Sequence, residues 1–297
     1  MKFEELIADG WARHEDEPQA VHDALARSVV RVTDEAQLHA FARLLTHVHA
    51  EHLDDRDAGV AVLDTLRIRF EPDSRVGYRP ATTAIGTLRF IDGHSGALDR
   101  LSGEERTSAL ATSASALAWR GSLDLAMPTF RRALAEASQG LPDGSAALRA
   151  LASAGNNLAV MLEREPDRDT DQTTAMVEFA DAALHYWQRA GGWLQEERAH
   201  YRCARSRIAA GRAHEAIACA ERCLSTCESH AAPAYERFFA YVAGALANRA
   251  AGRRDEFAHW SMLARGQHAL LGDDERASCS DELAELAAGR EHRLSDA

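Results

Sequence analysis

Several clusters in the sequence have residue types and spacings suited to binding metal or moving protons. The run His47-Val48-His49-Ala50-Glu51-His52 carries three imidazoles, the side chain that most often ligates metals. On a regular α-helix each residue turns by about 100°, so His47 and His49 point to nearly opposite faces. At most a pair such as His49 and His52 could then share an ion, and the run predicts a solvated helix face. Cys219, Cys223 and Cys227 recur every fourth residue along one face. The outer two would lie about 12 Å apart along the axis, too far for one zinc with bonds of ~2.3 Å. They read as core cysteines, unless Cys203 from a neighbouring helix approaches a pair.

Glu197-x-x-His200 and Glu256-x-x-His259 reproduce the spacing of di-iron carboxylate bundles, whose helices are longer than those expected here. With 14 histidines in the chain, such a match arises by chance. Asp167, Asp169 and Asp171, with Glu178 at the twelfth place, echo a calcium loop. Gln172, however, stands where that loop needs glycine for its sharp turn. These acids are expected to cap and complement the N-terminus of a helix over 170–190, which also has Thr170 available as a cap. There is no glycine-rich phosphate loop, nucleophile elbow or His-Glu-x-x-His. The sequence therefore predicts no enzyme, no cofactor and no metal centre.

The elements that would position these residues are helical. Hydrophobic residues make up 46% of the chain, aromatics 6%, and prolines number only 7. Alanine recurs throughout and loses no side-chain entropy in a helix, so the composition favours an all-α fold. At 297 residues the chain is near the size where one compact core stops growing, which predicts two domains or an elongated array. A formal charge of −12, from 46 acidic against 34 basic residues, argues against nucleic acid as a partner. The start MKFEELIADGWARHEDEP has no apolar stretch of a leader peptide. No run approaches the ~18 apolar residues of a membrane span. Five cysteines, an odd number, fit a reducing compartment, and the expected location is the cytoplasm.

A two-helix unit recurs along the chain. From Thr107 to Ala137 a first helix ends at Gly121, and a second carries Ala126, Phe130, Ala133 and Leu134 on one 3.6-residue stripe. The same grammar returns around Gly211, with Ala216, Ala220, Cys223 and Leu224, and around Gly252, with Phe257, Ser261 and Ala264. Between them, Met176, Ala180, Ala183 and Leu184 hold the equivalent places. The matched small residues Ala133, Ala183, Cys223 and Ala264 are 50, 40 and 41 positions apart. Residues 1–102 fit the plan more loosely as degenerate hairpins, and the loop EPDSRVGYRP is the expected break in stacking. Residues 103–272 form the clear repeats, and 273–297 a capping helix and tail.

With a small residue in the first helix, glycine at the turn and A-x3-F-x2-A-L in the second, the chain resembles the tetratricopeptide (TPR) repeat. The period near 40 exceeds the usual ~34 and is similar to the long repeats of kinesin light chain and of bacterial Rap-type peptide-sensing regulators. NNLAVML at 156–162 carries much of that similarity. Asp124 and Leu125 crowd the second helix of the first clear repeat, and Pro166 replaces the turn glycine of the next. The resemblance implies an α-solenoid, right-handed, of stacked antiparallel hairpins with about 12–14 helices. Its implied function is a non-catalytic scaffold gripping a protein or peptide in its concave groove. By that analogy Asn156 and Asn157 fall where an asparagine holds a ligand's backbone amide. Arg198, Arg202 and Arg205, at i, i+4 and i+7 with Tyr201 alongside, form a basic stripe suited to a carboxylate or an acidic segment. Tyr241 and Asn248 complete the expected grips. The arginines could instead pair with Glu196, Glu197 or Glu236. A peptide-responsive sensor controlling a partner is the alternative reading, and a metal-binding helical protein the weaker one.

Overall fold

The computed structural model describes residues 2–72 and 75–291. Among the described residues there are 15 α-helices and no strand, so the alanine-rich, proline-poor composition yields the expected all-α fold. The chain divides into two compact units, Met1–Leu158 and Ala159–Ala297.

In the first unit, α1 (Phe3–Arg13) and α2 (Pro18–Arg27) form a hairpin, with Pro18 at the helix start, where its missing N–H costs nothing. Next come α3 (Glu35–His47), extended by one wider turn over Val48–His52, and α4 (Arg56–Phe70). They are followed by α5 (Pro80–Ile91), α6 (Gly103–Trp119), α7 (Leu123–Ala137) and α8 (Ala146–Arg164), which runs past the unit boundary. Leu6, Leu25, Leu38, Phe41, Leu45, Leu63 and Leu88 meet in one core. Each such buried side chain contributes roughly 1.5–3 kcal/mol.

The loop between α4 and α5 does not interrupt the packing, contrary to the expected break: α5 packs on both α4 and α6. Polar clamps account for this. The buried carboxylate of Glu71 accepts the N–H groups of Ala81 and Thr82 at 2.8 and 2.9 Å, satisfying the start of α5 from outside the helix. Arg79 forks onto buried Glu105 of α6 through two 2.8 Å bonds.

The second unit contains α9 (Thr170–Ala190), α10 (Trp193–Ala209), α11 (Ala213–Ser229), α12 (Ala234–Ala250), α13 (Arg254–His268), α14 (Asp273–Ala277) and α15 (Ser280–Glu291). Each of α9 to α12 packs on its successor. Ala133, Ala183, Cys223 and Ala264 are all 0% exposed, as the repeat pattern requires. The α6–α7, α10–α11 and α12–α13 turns share one geometry. Gly121, Gly211 and Gly252 take φ of 77°, 72° and 72°, and the next N–H bonds back five residues, from Ser122 to Leu117, Arg212 to Arg207 and Arg253 to Asn248. This left-handed C-terminal turn suits glycine because it has no Cβ.

After α8 the turn glycine is missing, and Arg168 takes over its task. Its Nη1 donates to the carbonyls of Leu162, Glu163 and Glu165 at 2.7–2.8 Å. Of the acids expected at the start of α9, Asp169 is the cap, and Thr170, also available, is not. The Asp169 carboxylate accepts from Gln172 N–H at 2.8 Å while Gln172 Oε1 accepts from Asp169 N–H at 2.9 Å. The glutamine that spoils the calcium-loop pattern is thus the third-turn partner of a capping box.

Candidate functional site

In the first unit, faces of α1, α3, α5, α6 and α8 surround an open cavity of about 430 Å³. From α8, Arg149, Ser153 and Asn157 reach it at i, i+4 and i+8, one face of a 3.6-residue helix. Asn157 Nδ2 donates to Ser115 Oγ at 3.0 Å, which fixes the amide at the cavity edge, whereas Asn156 does not line the cavity. From α3 come His39, Arg43, Thr46 and His47. The Arg43 guanidinium lies 4.9 Å above the Trp11 ring, a cation–π contact. Among the described residues no carboxylate pairs with Arg43. Its side chain is exposed along the cavity wall. Desolvation, together with the charge of Arg149, lowers its pKa, and the same two effects, with Arg43 as well, lower that of His39. Such a positively charged concavity attracts anions.

The histidines at one end of the cavity are arranged differently from the helical-wheel expectation. The turn Val48–His52 is a π-turn, closed by Leu53 N–H bonding Val48 O at 2.9 Å, and the wider winding brings residues five apart onto one face. His47 and His52 therefore meet, with their Nε2 atoms 3.4 Å apart. His14 from the end of α1 joins them, its ring 4.8 Å from that of His47 and 5.1 Å from that of His52. One ligand atom from each of the three lies within 4.8 Å of the others. His14 Nδ1 donates to Trp11 O at 2.7 Å, and His47 Nδ1 faces Glu51 Oε1 at 3.2 Å. Trp11 packs on His47 and Trp119 on His52.

The upper limit of a pair such as His49 and His52 and the expected solvated face are thus both corrected. His49 is fully buried; its Nδ1 donates to Asp55 O at 2.5 Å and its Nε2 meets His22 Nδ1 at 2.8 Å. Burial pushes its pKa down to about 4. A Cβ at Gly59 would stand 2.7 Å from the His49 ring, so α4 approaches only because that position is glycine. Arg120 at the end of α6 anchors the whole turn. It donates to Ala50 O at 2.6 Å, Leu53 O at 2.5 Å and Asp54 Oδ1 at 2.7 Å.

In the second unit the three arginines of α10 do share one face, and each has a carboxylate. Arg198 forks onto Glu236 at 2.6 and 3.2 Å, Arg202 bonds Glu163 at 2.5 Å, and Arg205 bonds Glu285 at 2.6 Å. Tyr201 packs edge-on against Phe239, and Tyr241 against Trp260. Asn248 is buried and donates back to Gly244 O at 2.9 Å.

Cys223 and Cys227 of α11 are buried core residues, and Cys203 approaches half-buried Cys219. A hydrogen bond from Cys203, against the effect of burial and with help from Arg207, lowers the Cys219 pKa to about 7. Cys223 donates to Glu197 Oε1 at 3.0 Å. Burial, opposed by that bond and reinforced by Glu236, raises the Glu197 carboxyl to about 7. Glu197 and His200 are buried, whereas Glu256 and His259 lie exposed, so the two Glu-x-x-His motifs occupy unlike environments.

No family model matches the chain, and no curated protein does either. Among solved structures, a protein of nearly identical TPR-like repeats described as a kinesin light chain, from Podosopora anserina, is 14% identical. It aligns over 82% of this chain and 96% of its own with a TM-score of 0.49. A signal-transduction ATPase with numerous domains and a tetratricopeptide repeat sensor, from Pyrococcus horikoshii, aligns over 92% of this chain at 9% identity with a TM-score of 0.50. The fold is tetratricopeptide-like. This TPR-like chain spans 43% of the Pyrococcus protein, and at such identity the likeness concerns the fold alone. No helix is long and apolar enough to cross a membrane among the described residues. The cavity residues Trp11, His39, Arg43 and Tyr78 were not legible as a set, because they come from separate elements. The signal present was the polar face of α8, where Arg149, Ser153 and Asn157 stand opposite the packed leucines.

Proposed function

We propose that this TPR-like chain is a non-catalytic scaffold that binds an extended peptide or protein segment bearing an acidic group. The observation that carries the reading is Arg43, which faces an open cavity of about 430 Å³ and has no carboxylate partner among the described residues. An arginine in a concave, partly desolvated wall is a strong receiver for a carboxylate, which it can bind through two parallel bonds. Asn157 supplies an amide for a ligand backbone, and Trp11 and Tyr78 supply flat apolar surface. A few such anchors carry most of the energy of an interface. The arginines of α10 are a second place for an acidic segment, which would have to displace Glu163, Glu236 and Glu285 from them. The scaffold reading therefore favours the cavity first.

The test is selection of a random peptide display library on the purified chain, followed by affinity measurement for the enriched peptides. Acidic peptides should emerge, weaken at least about tenfold with Arg43→Glu, and weaken further as salt rises. Peptides indifferent to Arg43→Glu but lost with Arg198→Glu, Arg202→Glu and Arg205→Glu would move the site to α10. Enrichment of no peptide would count against the scaffold reading itself.

A further inference from the structure

We propose that His14, His47 and His52 bind one divalent transition-metal ion of the zinc class through their ring nitrogens, with a fourth coordination position open to the cavity. This assignment does not depend on the scaffold reading.

The spacing fits. Zinc–imidazole bonds of 2.0–2.1 Å at a tetrahedral angle separate two nitrogens by roughly 3.3 Å, and the His47 and His52 Nε2 atoms are 3.4 Å apart. The third ligand atom is within 4.8 Å of both, a gap that a modest ring rotation closes.

The tautomers fit as well. A ligating imidazole usually donates its other N–H to a carbonyl or a carboxylate, which fixes the ring and raises its basicity. His14 already donates from Nδ1 to Trp11 O, so its Nε2 lone pair is available. His47 Nδ1 faces Glu51, so its Nε2 is available too. Without a cation, the three rings, with centroids 4.8–5.1 Å apart, have one long hydrogen bond between them, His52 Nε2 to His47 Nε2 at 3.4 Å, which a metal ion would replace.

The support is rigid. The π-turn sets the His47–His52 register, Arg120 clamps the turn through two backbone carbonyls, and Trp11 and Trp119 wall the rings. Three imidazoles with no thiolate suit zinc, copper(II), nickel or cobalt and disfavour magnesium and calcium, which prefer oxygen. His14, His47 and Glu51 line the cavity, so the remaining position is open to water or to a donor atom of a bound molecule.

The full-length chain, stripped with chelator, is titrated with zinc chloride by calorimetry and with cobalt(II) by absorption spectroscopy. The expected result is one ion per chain and a cobalt spectrum of nitrogen and oxygen ligation without a thiolate charge-transfer band. His47→Ala and His14→Gln should each weaken zinc by more than the ~10–100-fold typical of losing an outer-shell partner, and Glu51→Gln by about tenfold. His94→Ala should bind as the wild type does. Circular dichroism establishes that each variant is folded, and if His47→Ala is not, His14→Gln decides. No stoichiometric zinc, undiminished binding in the folded histidine variant, or a thiolate band pointing to the cysteines would each overturn the assignment.

Discussion

The guanidinium of Arg120 donates to the carbonyl oxygen of Ala50 at 2.6 Å, joining the C-terminus of α6 to a turn seventy residues earlier. A second bond to Leu53 O makes this side chain the partner of two carbonyls of the π-turn. Charge-assisted bonds of this kind contribute about 1.5–3 kcal/mol, and their loss also leaves carbonyls unsatisfied. Arg120→Met should therefore destabilise the first unit by about 2–3 kcal/mol in chemical denaturation. A loss below ~0.5 kcal/mol would mean that water replaces the guanidinium.

Acid and base should act oppositely on the two units. His49 titrates at about 4 in the fold against 6.5 in an open chain. Its contribution is complete above 6.5 and is lost as pH falls toward 4, up to about 3 kcal/mol. His39 and Glu105, both also lowered, act in the same direction. For Glu105 the Arg79 fork and the Ser102 N–H overcome a burial effect that alone would raise it.

Glu197 runs the other way. Its folded pKa of about 7 exceeds the ordinary 4.5, so its contribution is complete below 4.5 and is lost as pH rises through 7. Hydrogen exchange, corrected for intrinsic rates, should show α3 and α4 losing protection between pH 6.5 and 4. Over the same descent α10 and α11 should gain it where Glu197 outweighs His200, whose pKa burial lowers and which acts in the opposite direction. Glu197→Gln should abolish only the second trend, and parallel behaviour of both units would contradict the sign assignments.

Ala231, between α11 and α12, adopts φ 49° in the same five-residue turn that glycine closes elsewhere, with Ala232 N–H bonding Cys227 O. The left-handed conformation costs a non-glycine residue about 1–2 kcal/mol. Ala231→Gly should raise stability by about 1 kcal/mol, less the entropy of a freer unfolded chain, and Gly211→Ala should lower it by about 1 kcal/mol. Thermal unfolding of the two variants checks both, and a destabilised Ala231→Gly would refute the turn argument.

The Arg79–Glu105 fork has a fully buried carboxylate. Arg79→Met should cost about 3–5 kcal/mol because it strands that charge. Arg79→Met combined with Glu105→Gln should recover much of the loss. A double-mutant cycle with no coupling would show that the loop holds by packing alone.

The repeat architecture was legible because it depends on local spacing. Ala133, Ala183, Cys223 and Ala264 mark the helix crossings, and Gly121, Gly211 and Gly252 the turns. The exceptions were not legible, because each substitutes a distant or unrelated group for a local one. Arg168 caps α8 in place of glycine, and Glu71 caps α5 from across a loop. The arginine stripe of α10 was visible, yet of its carboxylates Glu236 alone was among those the sequence suggested; Glu163 and Glu285 come from other helices. The meeting of His47 and His52 was not legible, because 3.6 residues per turn does not hold through a segment that winds more widely.

That one wider turn separates two properties usually tied together in a helical protein. Which helices touch is set by the leucines of α3, whereas which histidines meet is set by the residue count of the segment after it. Ordinary winding at unchanged length would carry His52 away from His47, whereas removing a single residue between Val48 and His52 would leave the two histidines four positions apart and again on one face, with the leucines of α3 in place. Which side chains meet at this corner therefore depends on how the segment winds as well as on which residues it carries.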